Sequence, residues 1–397
     1  MSEAVFPTPQ VPVESLEPTS LKEQIEAGEP VTILDVRAES EFEEWHIDGK
    51  NVEIVNIPYF EFLDGIDEEL LDAIPYGDPL VVICAKGDSS EFIAGRLMET
   101  LDISAVNLAD GMNGWASIYE AVEISDYAGA GTVYQYQRPS SGCLGYLLVT
   151  DGEAAVIDPL RAFADRYVED AEAAGASLDY AIDTHVHADH ISGVRELDGM
   201  GTTGVIPAAS VDRGVEDADD FVQAEDGDEF RVGEAIIETV YTPGHTSGMT
   251  SYLIDDSVLL TGDGLFIESV ARPDLEEGDE GAPEAARQLY DSLQNRVLPL
   301  DDDIIVAGAH FSDAADPTTD GTYTATIGAM TEEMAALSMD EDAFVDLILS
   351  DMPPRPANYE EIIAANLGQQ QPDDDEAFRL ELGPNNCAAS QEALTSD

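Results

Sequence analysis

Positive charge is what this 397-residue chain has least of. Sixteen Lys and Arg stand against 84 Asp and Glu, a formal net charge of −68, and lysine occurs only at Lys22, Lys50 and Lys86. A surface so short of cations is unsuited to phosphates, which argues against nucleic acid or an anionic membrane as partner. Cysteine is scarce too. Cys84, Cys143 and Cys387 are odd in number and far apart, so no disulfide framework is encoded. No apolar run is long enough to span a bilayer, and the opening MSEAVFPTPQ carries neither a basic nor an apolar leader segment. The sequence therefore predicts a cytoplasmic protein. It leaves oligomeric state open, a homodimer included.

What is present supports folding. A hydrophobic content of 44% is enough to build cores, and the length points to two domains. The acid is spread along both halves between recurring apolar runs, unlike a disordered acidic chain. At about 1 M ionic strength the Debye length is about 3 Å, and such a surface no longer repels itself strongly. The composition resembles that of salt-in halophiles, notably haloarchaea.

The first part alternates strand and helix signals: VTILDV (31–36), a helix from Ser40 to Trp45 with Ser as its cap, LVVICA (80–85), SEFIAGRLMETL (90–101) and AVNL (105–108). That order predicts an α/β domain with a parallel sheet. After a stretch rich in Gly, Ser and Pro, short strands come in pairs. LGYLLVT (144–150) precedes AAVIDP (154–159), and IIETVYTP (236–243) precedes SVLLTGD (257–263). Helical segments at 162–174, 283–295 and 358–368 complete a picture of two sheets flanked by helices. The expected boundaries are a first domain over 15–121, a linker over 122–131, a second domain over 132–368 and a loose polar tail over 369–397.

Histidine gives the sharpest signal. Of six in the chain, three fall within THVHADH (184–190). An apolar run ends just before this heptapeptide. Other apolar runs end just before PGHT with His245, before Thr261-Gly262-Asp263, and before Ala309-His310. Loops at one rim of a rigid scaffold can gather such residues. Neutral imidazole and carboxylate are standard ligands of zinc and non-haem iron. The candidates are His185, His187, Asp189, His190, His245, Asp263 and His310; only His46 lies outside.

In order and spacing these segments resemble the signature of the metallo-β-lactamase superfamily, over about residues 132–366. The resemblance implies an αββα sandwich with metal at one sheet edge, and two branches of the family fit. In the glyoxalase II thioesterases two Zn2+ per chain would be held, one by His185, His187 and His245, the other by Asp189, His190 and His310, with Asp263 bridging. In the persulfide dioxygenases a single Fe(II) per chain would be held by His185, His245 and Asp263, leaving open positions for sulfur and O2. The remaining residues would orient those ligands, and Asp189 is also a candidate catalytic carboxylate. TGDGLFIESVARPDL (261–275) and PRPANYEEII (354–363) resemble the dioxygenase branch. There Arg272 matches an arginine that faces the carboxylate of the thiol substrate; the alternative is a surface arginine paired with Asp274. Val270 and Ala271 replace the small residue and cysteine that precede this arginine in the family, and Phe311 follows the last histidine in place of tyrosine. These departures leave the identity of the thiol carrier open; in a haloarchaeon it would be a low-molecular-weight thiol other than glutathione.

CAKGDSS (84–90) follows a strand and opens a helix, so backbone N–H groups and the helix dipole can surround an anionic sulfur at Cys84. A strand-end cysteine is also a common core residue. Context separates the two. ILDVRAESEFEEWHI (33–47) and LADGMNGW (108–115) resemble rhodanese over about residues 15–120. The resemblance makes Cys84 the sulfur carrier and Gly87 the loop glycine, with Lys86 the only cation in the loop. Ser89 stands where many rhodaneses have arginine. Cys143 reads as core or pocket wall and Cys387 as tail.

Together the two resemblances imply a sulfur enzyme. The second domain would oxidise a low-molecular-weight thiol persulfide with O2 to sulfite and thiol, and Cys84 would transfer sulfane sulfur. The alternatives are a dinuclear zinc hydrolase of hydroxyacyl thioesters and a non-catalytic sulfur carrier with a structural metal.

Overall fold

The apolar tetrapeptides of the first hundred residues become the centre of a parallel sheet. The computed structural model describes residues 7, 9–101, 103–312, 314–350, 352–383 and 387–389. It divides into two units, Met1–Tyr119 with Arg138–Ser141, and Glu120–Gln137 with Gly142–Asp397. The first holds strands β1 (Glu14–Leu16), β2 (Val31–Asp35), β3 (Val52–Asn56), β4 (Leu80–Ile83) and β5 (Ala105–Leu108). Their spatial order is β1-β5-β4-β2-β3, with every pair parallel. Successive side chains of a strand point to opposite faces. Leu34 and Val82 therefore join Ile93 and Leu97 in one buried cluster, while Ile33 and Val81 join Trp115 in another.

The helix expected to open on Ser40 instead spans Glu39–Glu44. The Glu41 carboxylate accepts the Ala38 N–H at 3.0 Å, satisfying one orphan donor from inside the helix, and Ser40 lies in the first turn.

The second unit is an αββα sandwich. One sheet contains β6 (Glu120–Glu123), β7 (Thr132–Arg138), β8 (Cys143–Thr150), β9 (Glu153–Ile157), β10 (Ser177–Ile182), β11 (Thr203–Pro207) and β12 (Val222–Ala224), side by side in reverse sequence order. The other runs β13 (Glu229–Val232), β14 (Ala235–Tyr241), β15 (Thr250–Ile254), β16 (Val258–Gly262), β17 (Ile305–Gly308) and β18 (Ala325–Thr326) in order. Leu144, Tyr146 and Ile182 of the first sheet share a core with Ile237, Tyr252 and Leu260 of the second. Fully burying one such side chain stabilises by about 1.5–3 kcal/mol. Helices Gly278–Ser292, Ile327–Glu333 and Glu341–Ser350 cover the outer face of the six-stranded sheet through Leu289, Ile327 and Phe344. Because β9, β10, β11 and β12 are parallel, as are β16 and β17, several strands of both sheets end at one rim.

Two connecting segments differ from expectation. The stretch over 122–131, read as a linker, begins within β6, which pairs antiparallel with β7. Its Ala130 N–H and Tyr127 hydroxyl then donate to Asp255 at 2.9 and 2.7 Å. The described part of the tail is docked, not loose. Helix Asp374–Leu380 buries Ala377 against Ile191 and Ile362, and Arg161 donates to the Pro372 carbonyl and to Asp374. Ala377 and Leu380, at helical spacing, seat this helix on that cluster. Among the described residues no helix is long and apolar enough to cross a membrane.

Candidate metal centre

THVHADH leaves the end of β10, His245 stands in the turn between β14 and β15, Asp263 follows β16 and His310 follows β17. All five of these histidines and both aspartates are buried. Gly262 makes the turn into Asp263 with φ of 52°. A Cβ there would lie 2.5 Å from the Thr184 hydroxyl, so a larger residue would collide with the neighbour of His185.

His187 Nδ1 and His190 Nε2 have no hydrogen-bond partner, and neither do three converging atoms, His185 Nε2, His245 Nε2 and Asp263 Oδ2. The last three face one another, each of their nitrogens 3.5 Å from that oxygen. Stranding three polar atoms in a buried site costs about 1–3 kcal/mol each unless something else satisfies them. A cation does so, and this donor set of two imidazoles and one carboxylate fits one.

Neighbouring groups fix which imidazole nitrogen is bare. Thr184 Oγ1 lies 2.9 Å from Asp158 Oδ2 and 2.9 Å from His185 Nδ1. A carboxylate only accepts, so the single hydroxyl proton goes to Asp158 and His185 Nδ1–H donates to Thr184. His245 Nδ1–H donates to the Arg272 carbonyl at 2.9 Å. Both Nε2 lone pairs therefore point into the site. Burial, then His187, pushes His185 down to about pKa 3, and burial also lowers His245, so both rings stay neutral. Burial opposes ionisation of Asp263, but His310 and His185 outweigh it and hold that carboxyl well below the usual range.

The other expected ligands lie beside these atoms, with contacts of their own. His187 Nε2 lies 3.2 Å from Asp158 and 3.6 Å from Asp183. Burial and His190 push its pKa down, yet the two carboxylates carry it up to about 9. His190 Nδ1 meets Asp189 Oδ2 at 3.0 Å. His310 bridges Asp263 at 2.6 Å and Asp189 at 2.9 Å. One donor atom each of Cys143, Asp189, His190 and His310 lie within 4.8 Å of one another, forming a second buried group beside the first.

Residues 17–118 match the rhodanese-like domain and residues 140–310 the metallo-beta-lactamase superfamily. Over 196 residues the chain is 33% identical to the human persulfide dioxygenase ETHE1, mitochondrial, spanning 47% of this chain and 72% of that protein. It is 32% identical over 227 residues to the hydroxyacylglutathione hydrolase of Methylococcus capsulatus, spanning 55% of this chain and 78% of that one. The chain belongs to the metallo-beta-lactamase superfamily. The crystal structure of ETHE1 from Myxococcus xanthus superposes with a TM-score of 0.52 at 28% identity, covering 60% of this chain and 99% of the other. As a superfamily member with an N-terminal rhodanese-like domain, the chain is a metal-dependent enzyme.

Within this superfamily site, two residues do something other than their sequence motifs suggest. Arg272 is not a surface residue. It is 1% exposed, donating to Asp274 at 2.7 and 3.1 Å and to the carbonyls of Pro353 and Pro354 at 2.9 and 2.8 Å. Five fixed donors suit such a buried cradle better than an ammonium would. Replacing Arg272 by Ala should destabilise the second unit by about 3–5 kcal/mol, the usual cost of breaking a buried pair, read as a lower urea midpoint. Cys387 is not tail. It is 1% exposed, and one donor atom each of Cys387, Asp263 and His310 lie within 4.8 Å of one another. Cys143, expected as core or pocket wall, is buried and donates to Asp189 Oδ2 at 3.2 Å.

Sequence reasoning missed the residues that hold the THVHADH loop. Asn366 donates to the carbonyls of His187 and His190 at 2.9 and 2.8 Å, and Glu381 accepts the Ile191 N–H at 2.9 Å. Asp158, the hub beneath Thr184 and His187, was also passed over. Its signal was present: an acidic residue closing the apolar run AAVI.

The rhodanese-like domain builds its loop as expected from the backbone. Cys84 directly follows β4, and the Gly87 N–H donates to its sulfur at 3.1 Å. The side-chain donor is Ser90, at 3.0 Å, and not Lys86, which is exposed. Ser90 lies in the first turn of helix Asp88–Leu101, so its hydroxyl points back into the loop. Gly111 keeps the far wall close, since a Cβ there would lie 2.1 Å from the Cys84 carbonyl.

Proposed function

We propose that the second unit holds one Fe(II) on His185, His245 and Asp263 and oxidises the terminal sulfur of a low-molecular-weight thiol persulfide. Persulfide, O2 and water give thiol, sulfite and two protons. The observation that carries this reading is the convergence of three buried, unpartnered donor atoms, His185 Nε2, His245 Nε2 and Asp263 Oδ2, on one point. Two imidazoles and a carboxylate on one side leave the opposite positions open. The similarity to the human persulfide dioxygenase ETHE1 and to the ETHE1 of Myxococcus xanthus supports the same reading.

Iron supplies the redox chemistry with O2 that no side chain here can perform. The chain's own residues prepare the site. Thr184 and the Arg272 carbonyl fix the two ring orientations, and His310 holds Asp263 by its Oδ1, which turns Oδ2 toward the rings. Asp189, a candidate catalytic carboxylate, shares His310 with Asp263, so a proton can be kept between the two acids. Phe266, buried edge-on to His310, restricts water on that side. With O2 and a glutathione, coenzyme A or cysteine persulfide in molar salt, the iron-loaded protein should consume O2 and release sulfite at one iron per chain. Sulfite release without O2 uptake would sink the proposal.

Cys84 would carry sulfane sulfur in the rhodanese-like domain, stabilised by the Gly87 N–H and the Ser90 hydroxyl. The variant C84S should leave sulfite formation intact and abolish conversion of sulfite to thiosulfate, measured by chromatography of the sulfur anions. Loss of both products in C84S would contradict this division of labour.

The four-donor group of Cys143, Asp189, His190 and His310 favours one second reading, a dinuclear zinc hydrolase. Two zinc ions per chain with oxygen-independent cleavage of a hydroxyacyl thioester would establish it.

A further inference from the structure

Residues 387–389 lie alongside 269–272 as a short antiparallel strap. Ala388 bridges to Ala271, the Ala389 N–H donates to the Val270 carbonyl at 2.9 Å, and the Arg272 N–H donates to the Cys387 carbonyl at 3.1 Å. The Ser269 hydroxyl adds a bond to the Ala389 carbonyl at 3.0 Å. These contacts fix the backbone from the Cys387 carbonyl through Ala389. Its thiol is packed with Ala188 and Leu275 on one flank. On the other it meets Asp263 and His310, with one donor atom of each of the three residues inside 4.8 Å. Asp263 is shared with the His185 and His245 group, where its Oδ2 is fully buried and without a hydrogen-bond partner. A thiol, a carboxylate and an imidazole gathered this closely form a donor set for a divalent cation, and a thiol that meets such a cation loses its proton to it.

We propose that Cys387, carried in by this strap, is a ligand of the metal centre. The inference rests on the reading of His185, His245 and Asp263 as a metal site. In the resting protein the Cys387 thiolate then takes a position on the Asp263 and His310 side. A thiolate from the chain itself shifts preference toward softer cations. It also makes metal retention depend on a segment remote in sequence from every other ligand.

Cobalt(II) loading of the full-length protein tests this, because cobalt bound to thiolate absorbs in the near ultraviolet by sulfur-to-metal charge transfer and cobalt bound only by imidazole and carboxylate does not. Wild type and C84S should both show the band, and C387S should lose it while still binding cobalt, as followed by its visible ligand-field spectrum. C387A provides a second variant should C387S misfold. A wild-type protein that binds cobalt with no charge-transfer band overturns the Cys387 assignment alone. A band that survives in C387S and C387A but vanishes in C143S also overturns it, by placing the thiolate at Cys143. Failure to bind cobalt at all overturns both this assignment and the metal reading beneath it.

Discussion

Replacing Asp263 by Asn should lower metal affinity by more than about 100-fold and abolish sulfite formation. Loss of a group that merely orients a ligand typically costs about 10–100-fold, and Asp263 supplies one of the three converging donor atoms itself. Asn keeps the shape but removes the negative charge on which His185, His245 and His310 are centred. The measurement is metal content after dialysis against a weak chelator, alongside circular dichroism to show that the fold persists. A folded D263N protein that retains one iron per chain and wild-type turnover would mean that the centre lies elsewhere.

The second large effect is expected at Asp158, which touches no candidate substrate. It accepts the Thr184 N–H at 2.7 Å and the Thr184 hydroxyl at 2.9 Å, and lies 3.2 Å from His187 Nε2. Asp158→Ala strands these donors in a buried site, and removing one side of a buried ion pair costs about 3–5 kcal/mol. It also frees Thr184 to turn, so the tautomer of His185 is no longer specified. Metal affinity should fall by about 10–100-fold. Urea unfolding of the metal-free protein and a competitive metal titration measure the two effects separately. The contact has a defined pH window. Burial opposes ionisation of Asp158, but His187 outweighs it and lowers its pKa from 3.8, while that of His187 is raised from 6.5 to about 9. The stabilisation is thus complete between 3.8 and 6.5, falls away as pH drops through the depressed carboxylate value, and fades as pH rises through about 9. In Asp158→Ala the metal-free protein should show a flatter stability profile over this range.

The architecture was legible because both sheets are written in short apolar runs. VTILDV, LVVICA and the strand before THVHADH announce themselves by composition, and the metal motif is contiguous enough to be read without a fold. What escaped depends on contacts between distant segments. Nothing in LGPNNCAAS has a strand or helix period. Cys387 reaches the centre only because 387–389 pair with 269–272, more than a hundred residues earlier. Arg272 looked available because arginine is usually at the surface, and only the packing of Pro353 and Pro354 above it decides otherwise. Asn366 sits in an unremarkable helical repeat, and its role appears only when that helix lies against the THVHADH loop.

Arg272 also joins two things that the chain keeps far apart. Its carbonyl oxygen steadies the ring of His245, and its amide hydrogen grips the carbonyl of Cys387. One residue thereby works as a rocker: a shift of the 387–389 segment is delivered, through the two peptide groups that flank it, to the tilt of an imidazole. Displacing that segment would change how firmly the ring at 245 is aimed.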